Sequence, residues 1–164
     1  MSERENILEL KNAVYSFHTY GGEVKAVRDV SYEVRQGEIL GIVGESGCGK
    51  SVTAQCILRL NPEPPGFFEG GEILYKGQDV LKMSKKEIRK IRGREIGFVF
   101  QDPMTSLNPT MRVGAQIEEV FLGRTDVSKK EVKERAMDIM RLVGISDVEK
   151  RYKQYPHELS GGMK

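Results

Sequence analysis

The sequence has no apolar stretch of the length that a membrane-spanning helix needs. Such a helix takes about 20 predominantly apolar residues in succession, and no run of that kind occurs in this chain of 164 residues. The first ten residues, MSERENILEL, carry charges where a secretion signal requires an apolar segment. The sequence therefore predicts a protein that neither crosses a membrane nor leaves the cytosol by itself, and its length predicts a single domain.

The chain also lacks a charge imbalance and is poor in cysteine. Its 26 basic residues nearly balance its 24 acidic ones, and no basic patch alternates with aromatic residues. Nucleic acid is therefore not a favoured partner. The two cysteines, Cys48 and Cys56, do not have the spacing of a metal site, and reduced thiols are the expected state.

What the sequence does contain is a glycine-rich segment between an apolar run and a helical pattern. Residues 41–51, GIVGESGCGKS, fit the phosphate-binding pattern G-x-x-x-x-G-K-[ST] at Gly44, Gly49, Lys50 and Ser51. Glycines let backbone N–H groups face an anion without a Cβ in the way. Lys50 can reach the terminal phosphates, while Ser51 offers a hydroxyl to Mg²⁺. A plain turn between a strand and a helix is the alternative, and the full pattern favours the phosphate site.

Residue patterns predict an antiparallel β-layer and an α/β core in residues 1–101, followed by a mainly helical part in residues 102–164. Strands are predicted at 7–17 and 24–34 and a hairpin at 70–80, with compact buried strands at 38–43 and 95–101. Helices are predicted at 51–60, from the capping box at Ser84 through Ile91, at 114–123, and after a second capping box at Ser128. Behind that box, one helical face is expected to pack into the core through Val132, Ala136, Ile139, Met140 and Val143.

Two further stretches narrow the class of phosphate-loop protein. The first is FVFQDPMTSLNP at 98–109, in which Gln101 ends a predicted strand, and the second is LSGGMK at 159–164. Either could be ordinary by itself, since a strand often ends in a polar residue and Ser160 is a good helix cap. Together with the phosphate loop, and in this order, they resemble the nucleotide-binding subunit of the ATP-binding-cassette transporters. Three segments are similar in sequence to those of the dipeptide, oligopeptide and nickel importers, namely FHTYGGEVKAVRDVSYEV, QDPMTSLNPTMRVGAQI and YPHELSGGM.

The resemblance implies a fold and a set of site residues. The fold would be a P-loop NTPase core with an N-terminal antiparallel β-layer and an inserted helical subdomain. Gln101 would sense the metal and the γ-phosphate, and Ser160, Gly161 and Gly162 would touch ATP bound to a partner subunit. Phe17 would stack on adenine, with Tyr20 as the alternative. The resemblance assigns Ser51 and Gln101 as ligands of Mg²⁺, and Lys50 and Gln101 as catalytic residues. The residues that would bind the ATP phosphates are Gly44, Glu45, Ser46, Gly47, Cys48, Gly49, Lys50, Ser51 and Val52.

The resemblance also implies partners and a location. The chain would lie on the cytoplasmic face of the membrane, bound to membrane-spanning permease subunits and paired with a second ATP-binding subunit, identical or not. An extracytoplasmic solute-binding protein would take part indirectly. The sequence alone does not separate dipeptide, oligopeptide and nickel as the cargo.

One departure from the family's pattern affects the expected chemistry. The resemblance implies a later apolar strand ending in Asp-Glu and a later histidine near the γ-phosphate, and the sequence contains neither. His18 and His157 both precede the LSGG motif, so surface or capping roles are expected for them. We therefore expect residues 1–164 alone to bind nucleotide poorly and not to turn it over. A different phosphate-loop enzyme is disfavoured because no N-K-x-D motif occurs, whereas a non-catalytic module that binds nucleotide or a transporter remains open.

Overall fold

The computed structural model describes residues 5–102, 106–122 and 128–163. The chain divides into two compact units, one ending at Phe98 and the other beginning at Val99. This division falls a few residues before Gln101, where the sequence placed the limit of the helical part. The assignment of the two parts as subdomains of one nucleotide-binding domain stays a prediction.

The first unit contains a four-stranded antiparallel sheet. Its strands are β1 (Asn6–Thr19), β2 (Gly22–Arg35), β3 (Gly66–Tyr75) and β4 (Gln78–Asp79), in the spatial order β2-β1-β3-β4. The predicted antiparallel β-layer is confirmed, and β3 begins four residues earlier than the pattern indicated. The hairpins form because segments in which apolar and polar residues alternate are joined by tight turns that contain glycine.

One face of this sheet packs on two helices, α1 (Lys50–Ile57) and α2 (Lys85–Ile91). The core between them is formed by side chains that are almost completely buried, among them Leu10, Tyr15, Cys56, Ile73 and Ile88. Helix α2 starts at the predicted capping box, in which Ser84 and Glu87 satisfy each other's backbone N–H groups. A 3-10 turn at Val80–Lys82 precedes it.

The end of α1 is held by a side chain from beyond α2. Arg92 donates from Nε to the carbonyl of Leu58 at 2.8 Å and from a terminal guanidinium nitrogen to the carbonyl of Arg59. The last carbonyls of a helix lack intrahelical partners, and a cation near them is favourable. This contact therefore fixes α1, and with it the segment that precedes α1, against the rest of the first unit.

The second unit is helical. It contains α3 (Val113–Leu122), α4 (Lys129–Leu142) and α5 (Val148–Lys153), followed by 3-10 turns at Pro156–Glu158 and Gly161–Met163. Its small core is formed by Val113, Met140, Val148 and Leu159. The helices predicted at 114–123 and after Ser128 are thus confirmed within the described residues. No helix in these ranges is long and apolar enough to span a bilayer.

The two predicted parallel-type strands are not formed. Residues 38–43 and 95–101 have no strand geometry, apart from an isolated bridge between Arg92 and Ile96. Several of their apolar side chains are exposed, with Ile39 at 98% and Val99 at 96% of full exposure, whereas Ile96 and Phe98 are partly buried against the core of the first unit. A strand of this type needs neighbouring strands for its hydrogen bonds. Among the described residues the β-layer takes up all the strands, so neither segment has a strand beside it.

Two expectations for α4 also need correction. Val132, Ala136 and Met140 are buried as predicted, but Ile139 and Val143 are 42% and 67% exposed and line an open apolar cleft of about 410 Å³ in the helical unit. At Ser128 the hydroxyl does accept from the N–H of Glu131, at 3.3 Å, and so caps the helix. The reciprocal half of the box is absent because the Glu131 carboxylate instead pairs with Arg135 at 2.7 Å.

Tyr15 carries a buried hydroxyl at the centre of the first unit. The ring packs edge-on against Phe17 and Phe68, with centroids 5.3 and 4.8 Å away. The hydroxyl has no hydrogen-bond partner among the described residues. Burial is the main reason that the pKa of this group is raised to about 12.

We expect Tyr15→Phe to raise the free energy of unfolding by about 1 kcal/mol, because an unsatisfied buried hydroxyl costs stability. Urea unfolding of the two variants beside the parent would measure this change. Tyr15→Leu serves as the matched control and should lower the free energy of unfolding, because it removes the two aromatic contacts. A loss of stability in Tyr15→Phe would show that the hydroxyl is hydrogen-bonded after all.

Candidate functional site

The phosphate loop, residues 44–51, includes the first two residues of α1. The N-cap of α1 is Gly49, whose φ of +94° lies in the left-handed region, and no side chain caps the helix. The first N–H groups of any helix lack intrahelical partners. Without a capping side chain, these donors and the positive end of the helix dipole remain available to an anion.

Gly49 is also where the β-layer contacts the loop. A Cβ atom built on this residue would overlap the carbonyl oxygen of Ala26, which belongs to β2. Both the backbone angle and the close approach therefore require glycine here. The sequence motif predicts the glycine, but it gives no sign of Ala26, because a backbone carbonyl can come from any residue type.

Lys50 places its charge over the loop. Its Nζ donates to the carbonyl of Gly44 at 2.8 Å and to that of Glu45 at 2.7 Å, and it lies 3.5 Å from Sγ of Cys48. The ammonium group is thus surrounded by the residues that the sequence predicted to hold phosphates. This position fits a group that neutralises a bound anion, because the loop's other donors are neutral amides.

The remaining loop residues are arranged around this charge. Gly44 through Cys48 are exposed, and so is Ser51 in the first turn of α1. Val52 is partly buried and packs against the core of the first unit. The hydroxyl of Thr53 donates to the carbonyl of Gly49 at 2.9 Å and so helps to fix the first turn. The structure brings the predicted residues 44–52 together, and their individual roles stay predictions.

The two candidates for adenine stacking lie in different surroundings. Phe17 is half-buried in β1, pairs with Val24 of β2 and packs against Tyr15. Tyr20 lies in the turn between β1 and β2 and is fully exposed. A ring held by core contacts loses little conformational freedom when a base stacks on it, and this favours Phe17. The assignment itself stays a prediction.

The other predicted site residues lie in the helical unit. Gln101 is exposed at a bend. Ser160, Gly161 and Gly162 are exposed as well, directly after the buried Leu159. The N–H of Met163 donates to the carbonyl of Ser160 at 3.1 Å, which closes the 3-10 turn. Leu159 therefore anchors the motif to the core of its unit, and the motif itself is presented at the surface.

A protein-only metal site is not found in the described ranges. No group of three or more His, Cys, Asp or Glu side chains there could hold a metal ion. His18 stacks on Phe67 with ring centroids 4.2 Å apart, and His157 stacks on Tyr155. Both histidines are exposed, in agreement with the surface roles expected for them.

Comparison with known proteins gives a family match and several relatives of high identity. A family model described as ABC transporter matches residues 27–164. The oligopeptide transport ATP-binding protein OppD of Bacillus subtilis is 56% identical over 158 residues, which are 96% of this chain and 44% of that protein. The dipeptide transport ATP-binding protein DppD of the same species is 49% identical, over 98% of this chain and 48% of that protein. The chain thus spans about half the length of these curated relatives.

A solved structure supports the fold. The ATP-binding cassette MJ0796, in a dimeric post-hydrolysis state bound to ADP and Pi, matches with a TM-score of 0.81 at 26% sequence identity. The match covers 95% of this chain and 64% of that one. The predicted α/β fold of the nucleotide-binding cassette is therefore confirmed, although the two buried strands at 38–43 and 95–101 are not formed.

Gly49 and Gly47 form a matched pair for testing the loop. Both have positive φ, but a Cβ on Gly47 would meet nothing within 4 Å. Gly47→Ala should therefore cost only the left-handed backbone, about 1 kcal/mol, whereas Gly49→Ala also overlaps the Ala26 carbonyl. We expect Gly49→Ala to lower the free energy of unfolding clearly more and to abolish anion binding. Equal effects of the two substitutions, measured by urea unfolding and by calorimetric titration with an anion, would contradict this.

Proposed function

The chain belongs to the ABC transporter family, and on that premise we propose that it forms part of the ATP-binding subunit of a peptide importer. Such a subunit couples the binding and hydrolysis of ATP to uptake of dipeptides or oligopeptides across the cytoplasmic membrane. The identities to OppD and DppD, whose names specify oligopeptide and dipeptide transport, support peptide as the cargo class.

The observation that carries this proposal is the geometry at the start of α1. An uncapped helix end, a left-handed Gly49 and the Lys50 ammonium meet in one loop. Each of these features favours a phosphate group, and together they fit the triphosphate of ATP. The ADP and Pi in the related cassette agree with the same ligand class.

Mg²⁺ would be held at Ser51 and Gln101. A hydroxyl and an amide oxygen are ligands of the kind that Mg²⁺ accepts, and this ion usually takes further oxygens from the phosphates and from water. When bound, the ion neutralises charge on the phosphates. Lys50 contributes a second positive charge, and the backbone N–H groups of the loop orient the chain of phosphates.

The partners follow from the exposed motifs. Ser160, Gly161 and Gly162 would contact ATP on a second ATP-binding subunit, and the dimeric state of the related cassette supports such pairing. Gln101 would link the nucleotide to membrane-spanning permease subunits, with a solute-binding protein delivering the peptide outside. The subunit would then lie on the cytoplasmic face of the membrane as a peripheral protein.

A nucleotide titration combined with a phosphate-release assay tests the proposal. The complete subunit should bind ATP in the presence of Mg²⁺ and release phosphate, and the reconstituted transporter should take up peptide. Binding of ATP without any phosphate release would instead favour a non-catalytic nucleotide-binding module. Failure to bind ATP would contradict both functions.

Lys50→Ala should weaken ATP binding by tenfold or more, equivalent to about 1.5 kcal/mol, because hydrogen bonds to a charged group are the stronger kind. Isothermal titration calorimetry on the complete subunit would measure this loss. Lys130→Ala, at an exposed position of α4, is the control and should bind ATP like the parent. Equal affinity of Lys50→Ala and the parent would refute the role of Lys50.

Phe17→Ala should weaken ATP severalfold and leave inorganic triphosphate almost unchanged. Stacking of aromatic rings contributes about 1 kcal/mol beyond the burial of area, and triphosphate has no ring to lose. Competition titrations with the two ligands would separate the base from the phosphates. Tyr20→Ala is the matched control and should bind both ligands like the parent; if it shows the selective loss instead, Tyr20 is the stacking residue.

A further inference from the structure

A small pocket in the first unit lies between the end of α1 and helix α2, at the opposite end of α1 from the phosphate loop. Its volume is about 240 Å³. Positive charge dominates this cationic pocket, because the described residues that line it include four cations and one carboxylate. The carboxylate is that of Glu63, and the cations are Arg59, Lys85, Arg89 and Arg92.

Two of the cations are held in place by backbone carbonyls. Arg92 donates to the carbonyls of Leu58 and Arg59, and the Arg59 guanidinium donates to the carbonyl of Met83 at 3.0 Å. A guanidinium group carries more N–H donors than these bonds use. Both groups are therefore fixed in position and keep donors for a ligand.

The other two cations lie on one face of α2. Lys85 is the first residue of this helix, and Arg89 lies one turn later. Side chains at this spacing are neighbours, and like charges there repel each other. A positive charge in the first turn is also unfavourable with the helix dipole. The stability of α2 therefore does not explain why both residues are cationic, whereas a bound anion would.

Within the described ranges, salt bridges do not neutralise the cationic pocket, since none of them includes any of its cations. Burial is the main reason that the pKa of Arg92 is lowered, and the positive charges of Arg59 and Arg89 lower it further. The guanidinium groups thus lie close enough to repel one another. An anion between them would relieve this repulsion.

The size of the pocket and its donors indicate the class of anion. Sites for drug-sized ligands have volumes of about 300 Å³ or more, so this pocket is too small for a nucleotide and suits a small oxyanion. Guanidinium groups bind phosphate through paired hydrogen bonds. A phosphate group carries up to about two negative charges at neutral pH, and it therefore matches the excess of positive charge better than a single carboxylate.

We propose that the cationic pocket is a binding site for a small phosphate anion of multiple charge, separate from the phosphate loop. The site goes beyond the proposed function and does not rest on it, because its residues lie outside the loop and its helix start, 44–52. The anion would join Arg59, which follows α1, to Arg89 of α2. A ligand that binds the folded state stabilises it by mass action, so binding should also raise the melting temperature.

The test is a calorimetric titration of the protein with inorganic pyrophosphate, at an ionic strength kept constant with chloride because salt screens exposed charges. Excess ADP is present to occupy the phosphate loop, and this loop is in any case the same in all variants. Arg89→Gln should bind pyrophosphate tenfold or more weakly than the parent, since hydrogen bonds between charged groups are the stronger kind. Arg89→Glu should bind still more weakly, because it reverses the charge.

Arg89 is suited to this test because its side chain forms no hydrogen bond or salt bridge in the described part of the chain. Lys90→Gln is the matched control. Lys90 is also exposed and lies in the same last turn of α2, but it does not line the cationic pocket. This variant should bind pyrophosphate like the parent.

Melting temperatures with and without pyrophosphate provide a second readout. Without the anion, Arg89→Gln and Lys90→Gln should melt like the parent. With it, the parent and Lys90→Gln should gain stability, and Arg89→Gln should gain clearly less. If Arg89→Gln fails to fold, Lys85→Gln on the same face of α2 replaces it with the same expectation.

Three results would overturn the proposal. The first is a parent that does not bind pyrophosphate, and the second is equal affinity of the parent and Arg89→Gln. The third is an equal loss in Arg89→Gln and Lys90→Gln, because this would show a diffuse attraction to the basic surface. None of these results bears on ATP binding at the phosphate loop, so the proposed function is tested separately.

Discussion

The close approach of Gly49 to the Ala26 carbonyl is the contact on which the candidate site depends. It fixes the left-handed residue that starts α1, and it sets the phosphate loop against β2. Arg92 holds the other end of α1 through the carbonyls of Leu58 and Arg59. With both ends fixed, the helix presents its free N–H groups in one direction, and Lys50 adds its charge at the same place. The site therefore results from packing between the β-layer and one short helix.

Features that depend on short-range chemistry could be predicted from the sequence. The capping box at Ser84 joins a hydroxyl and a carboxylate three residues apart, and the structure forms both of its bonds. The same spacing at Ser128 caps the helix through the hydroxyl alone, because Glu131 pairs with Arg135. The strands β1 and β2 are joined by a tight glycine turn, so their pairing is local as well. The phosphate loop belongs to the same group, because glycine conformations and the helix end are set within a few residues.

Features that depend on distant partners were predicted less well. Residues 38–43 and 95–101 have the composition of buried strands, but strand preference mainly reflects what packs beside a segment. In the described part of the chain nothing pairs with them as a strand, and Ile39 and Val99 stay exposed. On α4 the helical period correctly gave one apolar face, yet its edge residues Ile139 and Val143 line an open cleft. The spacing of apolar residues indicates which side chains share one face of a helix. It does not indicate how much of that face is covered by other parts of the protein.

The same distinction explains which parts of the candidate site the sequence could indicate. A motif records side chains, so Lys50, Ser51 and the LSGG residues were identified by type and spacing. The Ala26 carbonyl and the carbonyls of Asn108 and Met111, which accept hydrogen bonds from Gln116, are backbone groups, and any residue can supply them. Gln116 had no distinguishing pattern, since its side-chain amide bonds to the backbone of Asn108 and Met111, five to eight residues earlier in the chain. Such positions become visible only when hydrogen bonds are traced, because their specificity lies in donor and acceptor geometry.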